Sequence, residues 1–191
     1  MAKPDKRDEI VRAALELIAE NGFHGAPMAM IADKAGVGAG TIYRYFENKD
    51  VLIEELYREL EEKMYPVLVV GYDVEHTIRG RFIHLGTALL HYFIACPLHF
   101  RYLEQFHNSP YGAAFRREKL LGKLEKGDLF CSLLQEGAEQ QVIKDLPLTI
   151  LAALAFGPLI NVARDHILGF ITLDDELVAR TVAACWDGLK R

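Results

Sequence analysis

The stretch Ile31-Ala-Asp-Lys-Ala-Gly-Val-Gly-Ala-Gly-Thr-Ile-Tyr-Arg-Tyr-Phe-Glu-Asn-Lys49 decides the fold. Pro27 suits the first position of a helix, where its missing N–H costs nothing. Ile31 and Ala35 then share one face, and Gly36 ends that helix and turns the chain. In the next helix Ile42 and Phe46, four residues apart, anchor it to a core while Thr41, Arg44, Tyr45 and Asn48 face outward. Asn48 caps a third helix. The pattern is a helix-turn-helix. Gly38 and Gly40 each weaken a helix by about 1 kcal/mol relative to alanine, so close approach of a partner would explain them.

Lys49 is placed unusually. As the first residue after the Asn48 cap it puts a cation at the positive end of a helix, which costs a few tenths of a kcal/mol, roughly. An anion on the free N–H groups there reverses the sign, and a DNA phosphate beside the neighbouring hydroxyls fits. The alternative is a solvated lysine paired with Asp50 or Glu47.

The run from Arg7 to about Tyr57 resembles the N-terminal domain of TetR/AcrR-type transcriptional regulators. The resemblance rests on Ala13-Ala-Leu-Glu-Leu-Ile18, Asn21-Gly-Phe23, Ile31-Ala32, Ala35-Gly-Val37, Gly40-Thr-Ile-Tyr43, Tyr45-Phe46 and Lys49-Asp-Val-Leu52, in order and in register. It covers about a quarter of the chain. It implies that Thr41, Tyr43, Tyr45 and Lys49 touch DNA phosphates, while Gly38, Ala39 and Arg44 help select bases. One departure is Ala26-Pro27 at the start of the second helix, where the family usually carries Thr or Ser and a phosphate contact.

Composition sets the outer limits. With 191 residues, 51% of them hydrophobic, the chain can bury a sizeable core. Its 22 basic and 27 acidic residues give a net charge of −5, hence no general attraction to nucleic acid. Residues 1–50 hold 7 basic and 8 acidic side chains. Binding DNA therefore requires Lys3, Lys6, Arg7, Lys34, Arg44 and Lys49 to converge on one surface. Cys96, Cys131 and Cys185 have no metal spacing and suit a reducing cytoplasm, as small buried hydrophobes. No secretory signal opens the chain, because Met1 to Glu9 is charged. The apolar run Leu148 to Ile160, interrupted by Gly157-Pro158, is too short for a bilayer, so no membrane partner is expected.

Past the motif the chain reads as helices over residues 49–64, 75–95, 98–107, 112–140, 147–168 and 174–189, with Pro66 and Gly71 marking a boundary. The first helix starts near Asp5 or Asp8 and stops at Asn21-Gly22. Between Ile83 and Phe115 aromatic and histidine side chains crowd together. They could line a hydrophobic cavity or form an ordinary aromatic core. The resemblance favours a cavity, with Tyr92, Phe93, Phe100, Phe106, His107 and Phe130 as candidate effector contacts. Glu104-Gln-Phe-His107 has the spacing of a di-iron motif, yet no second copy exists. Gly36-Val-Gly-Ala-Gly40 follows no strand and matches neither phosphate-binding loop. A helical-bundle enzyme or metal-binding protein remains the alternative class.

In the last two helices Ala152, Ala153, Ala155, Gly157 and Ala163 permit close helix approach. Leu177, Thr181, Ala184, Cys185 and Leu189 form a stripe. This is either an intramolecular core or, as the resemblance implies, a dimer interface. The expectation is an all-α fold: a three-helix helix-turn-helix domain over residues 1–48 and a larger helical effector-binding and dimerisation domain over 49–191. The resemblance further implies a cytoplasmic homodimeric repressor, without cofactor or enzymatic activity. Two-fold symmetry would then require an inverted-repeat operator in duplex DNA, and the aromatic cluster a small, mostly apolar or aromatic effector that releases it.

Overall fold

The computed structural model describes residues 5–75, 77–120 and 129–191. Among these there are ten α-helices: α1 (Lys6–Asn21), α2 (Met28–Lys34), α3 (Ala39–Tyr45), α4 (Lys49–Val69), α5 (Ile78–Ala95), α6 (Pro97–His107), α7 (Pro110–Leu120), α8 (Leu129–Glu139), α9 (Leu148–Ile167) and α10 (Asp175–Leu189). A 3-10 turn at Tyr72–Val74 precedes α5. The chain divides into two units. One comprises Met1–Lys63 and Cys96–Arg117, the other Met64–Ala95 and Glu118–Arg191, so a boundary falls within α4.

The first unit is built on local signals. Asp5 caps α1 by accepting from the Arg7 N–H at 3.2 Å. Gly22, at φ +69°, ends it with its N–H on the Ile18 carbonyl at 2.9 Å. Ile10, Ala14, Leu17 and Ile18 recur at helical spacing and are all buried. Gly36 takes φ +65° after α2, the left-handed turn that glycine enters without strain. α1 packs against α2, α3 and α6.

In the second unit α5, α8, α9 and α10 pack on one another. Phe82 meets Phe156 and Trp186 at ring-centroid distances of 6.3 and 5.6 Å, and Phe130 meets Phe156 at 4.5 Å. α5 and α10 come so close at Gly86 that an added Cβ would lie 2.7 Å from Val182 Cγ1. Asp174 caps α10 through the Leu177 N–H at 2.8 Å.

One expectation about elements changes. α4 does not stop near residue 64 but continues to Val69 with Pro66 inside it, since a proline disfavours a helix without forbidding it. α9 is the helix expected over 147–168 and runs unbroken through Gly157-Pro158 for 20 residues. By length and composition alone it could cross a membrane, but it packs against α5, α8 and α10. The single helix expected over 112–140 is α7 and α8 where described, and its middle, residues 121–128, lies outside the described residues.

The stripe expected on α10 splits. Val178, Val182, Cys185, Trp186 and Leu189 are buried, whereas Leu177 and Ala184 are exposed. At 100° per residue the two sets occupy adjoining sides, so Cys185 and Leu189 belong to the intramolecular core. Burial pushes the Cys185 thiol up. On α9, Leu151, Ala155, Leu159 and Ala163 point inward, while Ile150, Ala153 and Leu154 are exposed.

Candidate nucleic-acid interface

α3 is held from behind and bare in front. Ile42 and Phe46 are fully buried, and the Phe46 N–H closes the helix on the Ile42 carbonyl at 3.0 Å. Gly38, Ala39, Gly40, Tyr43 and Arg44 are exposed, and Thr41 and Tyr45 half-exposed. Tyr43, at 53% exposure, is a large aromatic that its own chain leaves open. A Cβ built on Gly40 meets nothing within 4 Å, and one on Gly38 meets only Thr41 Oγ1 at 4.0 Å. Among the described residues, packing therefore gives no reason for either glycine. The Arg44 guanidinium lies 5.5 Å from the centre of the Tyr45 ring, which limits its wandering.

The start of α4 adjoins this face in sequence. Asn48 Oδ1 accepts from the Val51 N–H at 3.0 Å, the cap expected from sequence. The Lys49 side chain is half-buried and its ammonium donates to the Phe23 carbonyl. Burial pulls its pKa below the ordinary lysine value, and the charge on Asp50 works the other way. An ammonium carries three donors, so the Phe23 contact leaves capacity for an anion.

Two of the six cations expected to converge are paired with carboxylates. Arg7 donates to Glu59 at 2.6 Å and Glu55 at 2.8 Å, which raise its pKa, and its guanidinium lies 5.5 Å from the Phe46 ring centre. Lys34 pairs with Glu16 at 2.9 Å. Both cations are engaged by carboxylates of neighbouring helices, so their charge is spent inside the unit. Lys3 lies outside the described residues. At Ala26-Pro27, Ala26 is fully buried and Pro27 caps α2 with no side-chain hydrogen bond.

The six candidate effector contacts fall in different units. Phe100, Phe106 and His107 belong to the first, Tyr92, Phe93 and Phe130 to the second. Phe106 stacks on Tyr57 with centroids 4.0 Å apart, and His107 meets the same ring edge-on at 5.8 Å. Tyr102 is fully buried, its hydroxyl donating to the Ile53 carbonyl at 2.6 Å, and burial pushes its pKa up. Tyr92, Phe93, Phe100 and Phe106 are buried, His107 is exposed and Phe130 half-buried. Sequence reasoning overlooked Phe82 and Trp186 beside Phe130 and Phe156. The one available signal was Phe82 at helical spacing from Ile78, Leu85 and Leu89. Among the described residues no group of three or more His, Cys, Asp or Glu side chains is placed to hold a metal ion.

Residues 10–56, which contain α2 and α3, match the family model for bacterial regulatory proteins of the tetR family, and residues 78–190 match that for the tetracyclin repressor-like C-terminal domain. The second match alone spans more than half of the chain. The chain belongs to the TetR family. Like the family it is a DNA-binding transcriptional regulator, and its relatives are regulators rather than enzymes. A TetR-family regulator from Vibrio parahaemolyticus is 30% identical with a TM-score of 0.76, covering 98% of this chain and 99% of that one. The fatty acid metabolism regulator protein of Bacillus subtilis is 47% identical over 57 residues, which are 30% of this TetR-family chain and 29% of that protein. The match thus spans under a third of that relative's length. The transcriptional regulator FadR of Bacillus subtilis, solved in complex with stearoyl-CoA, shares the fold at a TM-score of 0.73 and 18% identity, covering 95% of this chain and 98% of that one.

Proposed function

We propose that the chain is a cytoplasmic homodimeric repressor whose effector is a mostly apolar acyl compound. Residues 1–48 read DNA, and residues 49–191 sense the effector and pair the subunits. The carrying observation is α3, anchored by buried Ile42 and Phe46 and presenting Gly38, Ala39, Thr41, Tyr43, Arg44 and Tyr45 outward. Such a helix enters a major groove, and two-fold symmetry then requires an inverted-repeat operator. Thr41, Tyr43, Tyr45 and Lys49 serve as phosphate contacts. Gly38, Ala39 and Arg44 serve as base-facing positions, the two small residues admitting the duplex closely.

Contrasting substitutions test this division. Lys49→Ala weakens binding to every duplex alike and lowers the salt slope by about 1 per engaged subunit, since one counterion-releasing contact is lost. Arg44→Ala costs roughly 1 to 3 kcal/mol at particular base positions only, as loss of a bidentate guanine contact does. An unchanged salt slope removes Lys49 from the interface. Equal losses of Arg44→Ala on selected and random DNA make Arg44 a phosphate contact.

For the effector, the aromatic group of Phe82, Phe130, Phe156 and Trp186 in the second unit supports an apolar moiety. The stearoyl-CoA complex of a protein sharing the fold suggests a long-chain acyl thioester. Of the candidate contacts, Tyr92, Phe93 and Phe130 share the second unit with that group and remain proposed effector contacts. An effector that weakens operator binding tenfold binds the DNA-free form tenfold better, a coupling of about 1.4 kcal/mol. A long-chain acyl-CoA at about 100 times its dissociation constant stabilises the fold by about 2.7 kcal/mol in a thermal-shift assay and releases DNA. Stabilisation and release by strongly polar metabolites alone would overturn the apolar assignment.

A further inference from the structure

Tyr111, near the start of α7, donates its hydroxyl proton to Asp50 Oδ1 at 2.5 Å, joining residues 61 apart in sequence. Its ring meets Phe23 edge-on with centroids 5.5 Å apart, and Phe23 is the residue whose carbonyl takes the Lys49 ammonium. Lys49 and Asp50 are adjacent and oppositely charged, and each has a partner other than its neighbour. The ammonium sits on a neutral carbonyl and the carboxylate on a phenol. The hydrogen bond to Asp50, with burial adding to it, pushes the Tyr111 pKa up to about 12, so the phenol keeps its donor proton at neutral pH.

The first turn of a helix attracts any anion, because its N–H groups have no partner within the helix. A carboxylate on the second residue of α4 therefore competes with a DNA phosphate for the same N–H groups and for Lys49. It also repels the phosphate directly. A donor that occupies the carboxylate reduces both effects, since a charge-assisted hydrogen bond draws the negative charge toward the phenol.

We propose that Tyr111 is a positioning residue for DNA binding: by holding the Asp50 carboxylate it leaves the Lys49 ammonium and the start of α4 to a backbone phosphate. The inference rests on the reading of α3 and Lys49 as DNA-facing. It predicts that a residue of α7 sets affinity without touching DNA.

The test uses the full chain, a mixed-sequence duplex, which reports phosphate contacts alone, and a duplex selected by the unaltered protein from a random pool. Tyr111→Phe keeps the ring and its stacking and removes only the hydroxyl. It is expected to bind both duplexes about three- to tenfold more weakly, with an unchanged melting temperature. Asp50→Asn removes the competing charge and is expected to bind at least as tightly as the unaltered chain. In the Asp50→Asn background, Tyr111→Phe is expected to cause no further loss, because its role is exercised through that carboxylate. Weaker binding by Asp50→Asn, wild-type binding by Tyr111→Phe, or the same loss in both backgrounds would each overturn the proposal while leaving the DNA-binding reading intact. Failure of the unaltered protein to bind either duplex would overturn that reading and this proposal together.

Discussion

Replacing Phe46 with alanine abolishes DNA binding and lowers the stability of the first unit by about 3 to 5 kcal/mol. The ring is fully buried, its backbone closes α3, and the Arg7 guanidinium lies over its face. Removing it leaves a cavity under a helix of seven residues, too short to hold itself in water. Because domains carry only about 5 to 15 kcal/mol of stability, that loss releases α3 from its support. Circular dichroism through a denaturant series shows the change as an early transition, and a DNA-binding titration shows the loss of affinity. A melting curve and a dissociation constant both like those of the unaltered chain would mean that α3 is oriented by something else.

Introducing arginine at Ala184 is expected to leave the proposed dimer as monomers. Ala184 is exposed in the single chain, on the side of α10 that also carries Leu177, so the substitution leaves intramolecular packing untouched. On α9, Ile150 and Leu154 are exposed at 47% and 42%, more aliphatic surface than a helix facing water needs. If these sides form the dimer interface, two symmetry-related arginines become buried without partners, at a cost of several kcal/mol, on the order of 3 to 5. The expected sedimentation result is a folded monomer with native helix content. Its affinity for an inverted repeat falls at least about tenfold, because each half-site must then be bound separately. A stable dimer would place the association surface elsewhere.

What the sequence disclosed was mostly local. Asp5, Gly36, Asn48 and Asp174 do in the structure what their chemistry suggests, because a cap or a left-handed turn is settled within a few residues. The buried pair Ile42 and Phe46 followed from helical spacing alone. What stayed hidden depends on which helices meet. Arg7 counts as a free cation until α1 is seen to bring it to Glu55 and Glu59, 48 and 52 residues away. Lys34 is the same case with Glu16. The aromatic crowd between Ile83 and Phe115 looks continuous in sequence, yet the two units divide it between Ala95 and Cys96. Periodicity marks which side of a helix is apolar and carries no information about the helix it will meet. Pro66 misled because a proline disfavours helix continuation without forbidding it.

The close approach of α5 and α10 constrains how such a sequence can drift. Any side chain at position 86 would place its first carbon 2.7 Å from Val182 Cγ1 and 3.4 Å from Leu159 Cδ1. The stub of a valine cannot swing aside as the tip of a longer chain can. A lineage can therefore enlarge residue 86 only after residue 182 has become smaller. The order of the two changes is fixed: shrinkage first leaves a tolerable gap, whereas growth first forces the helices apart. Gly86 and Val182, separated by about half the chain, are bound to a shared history.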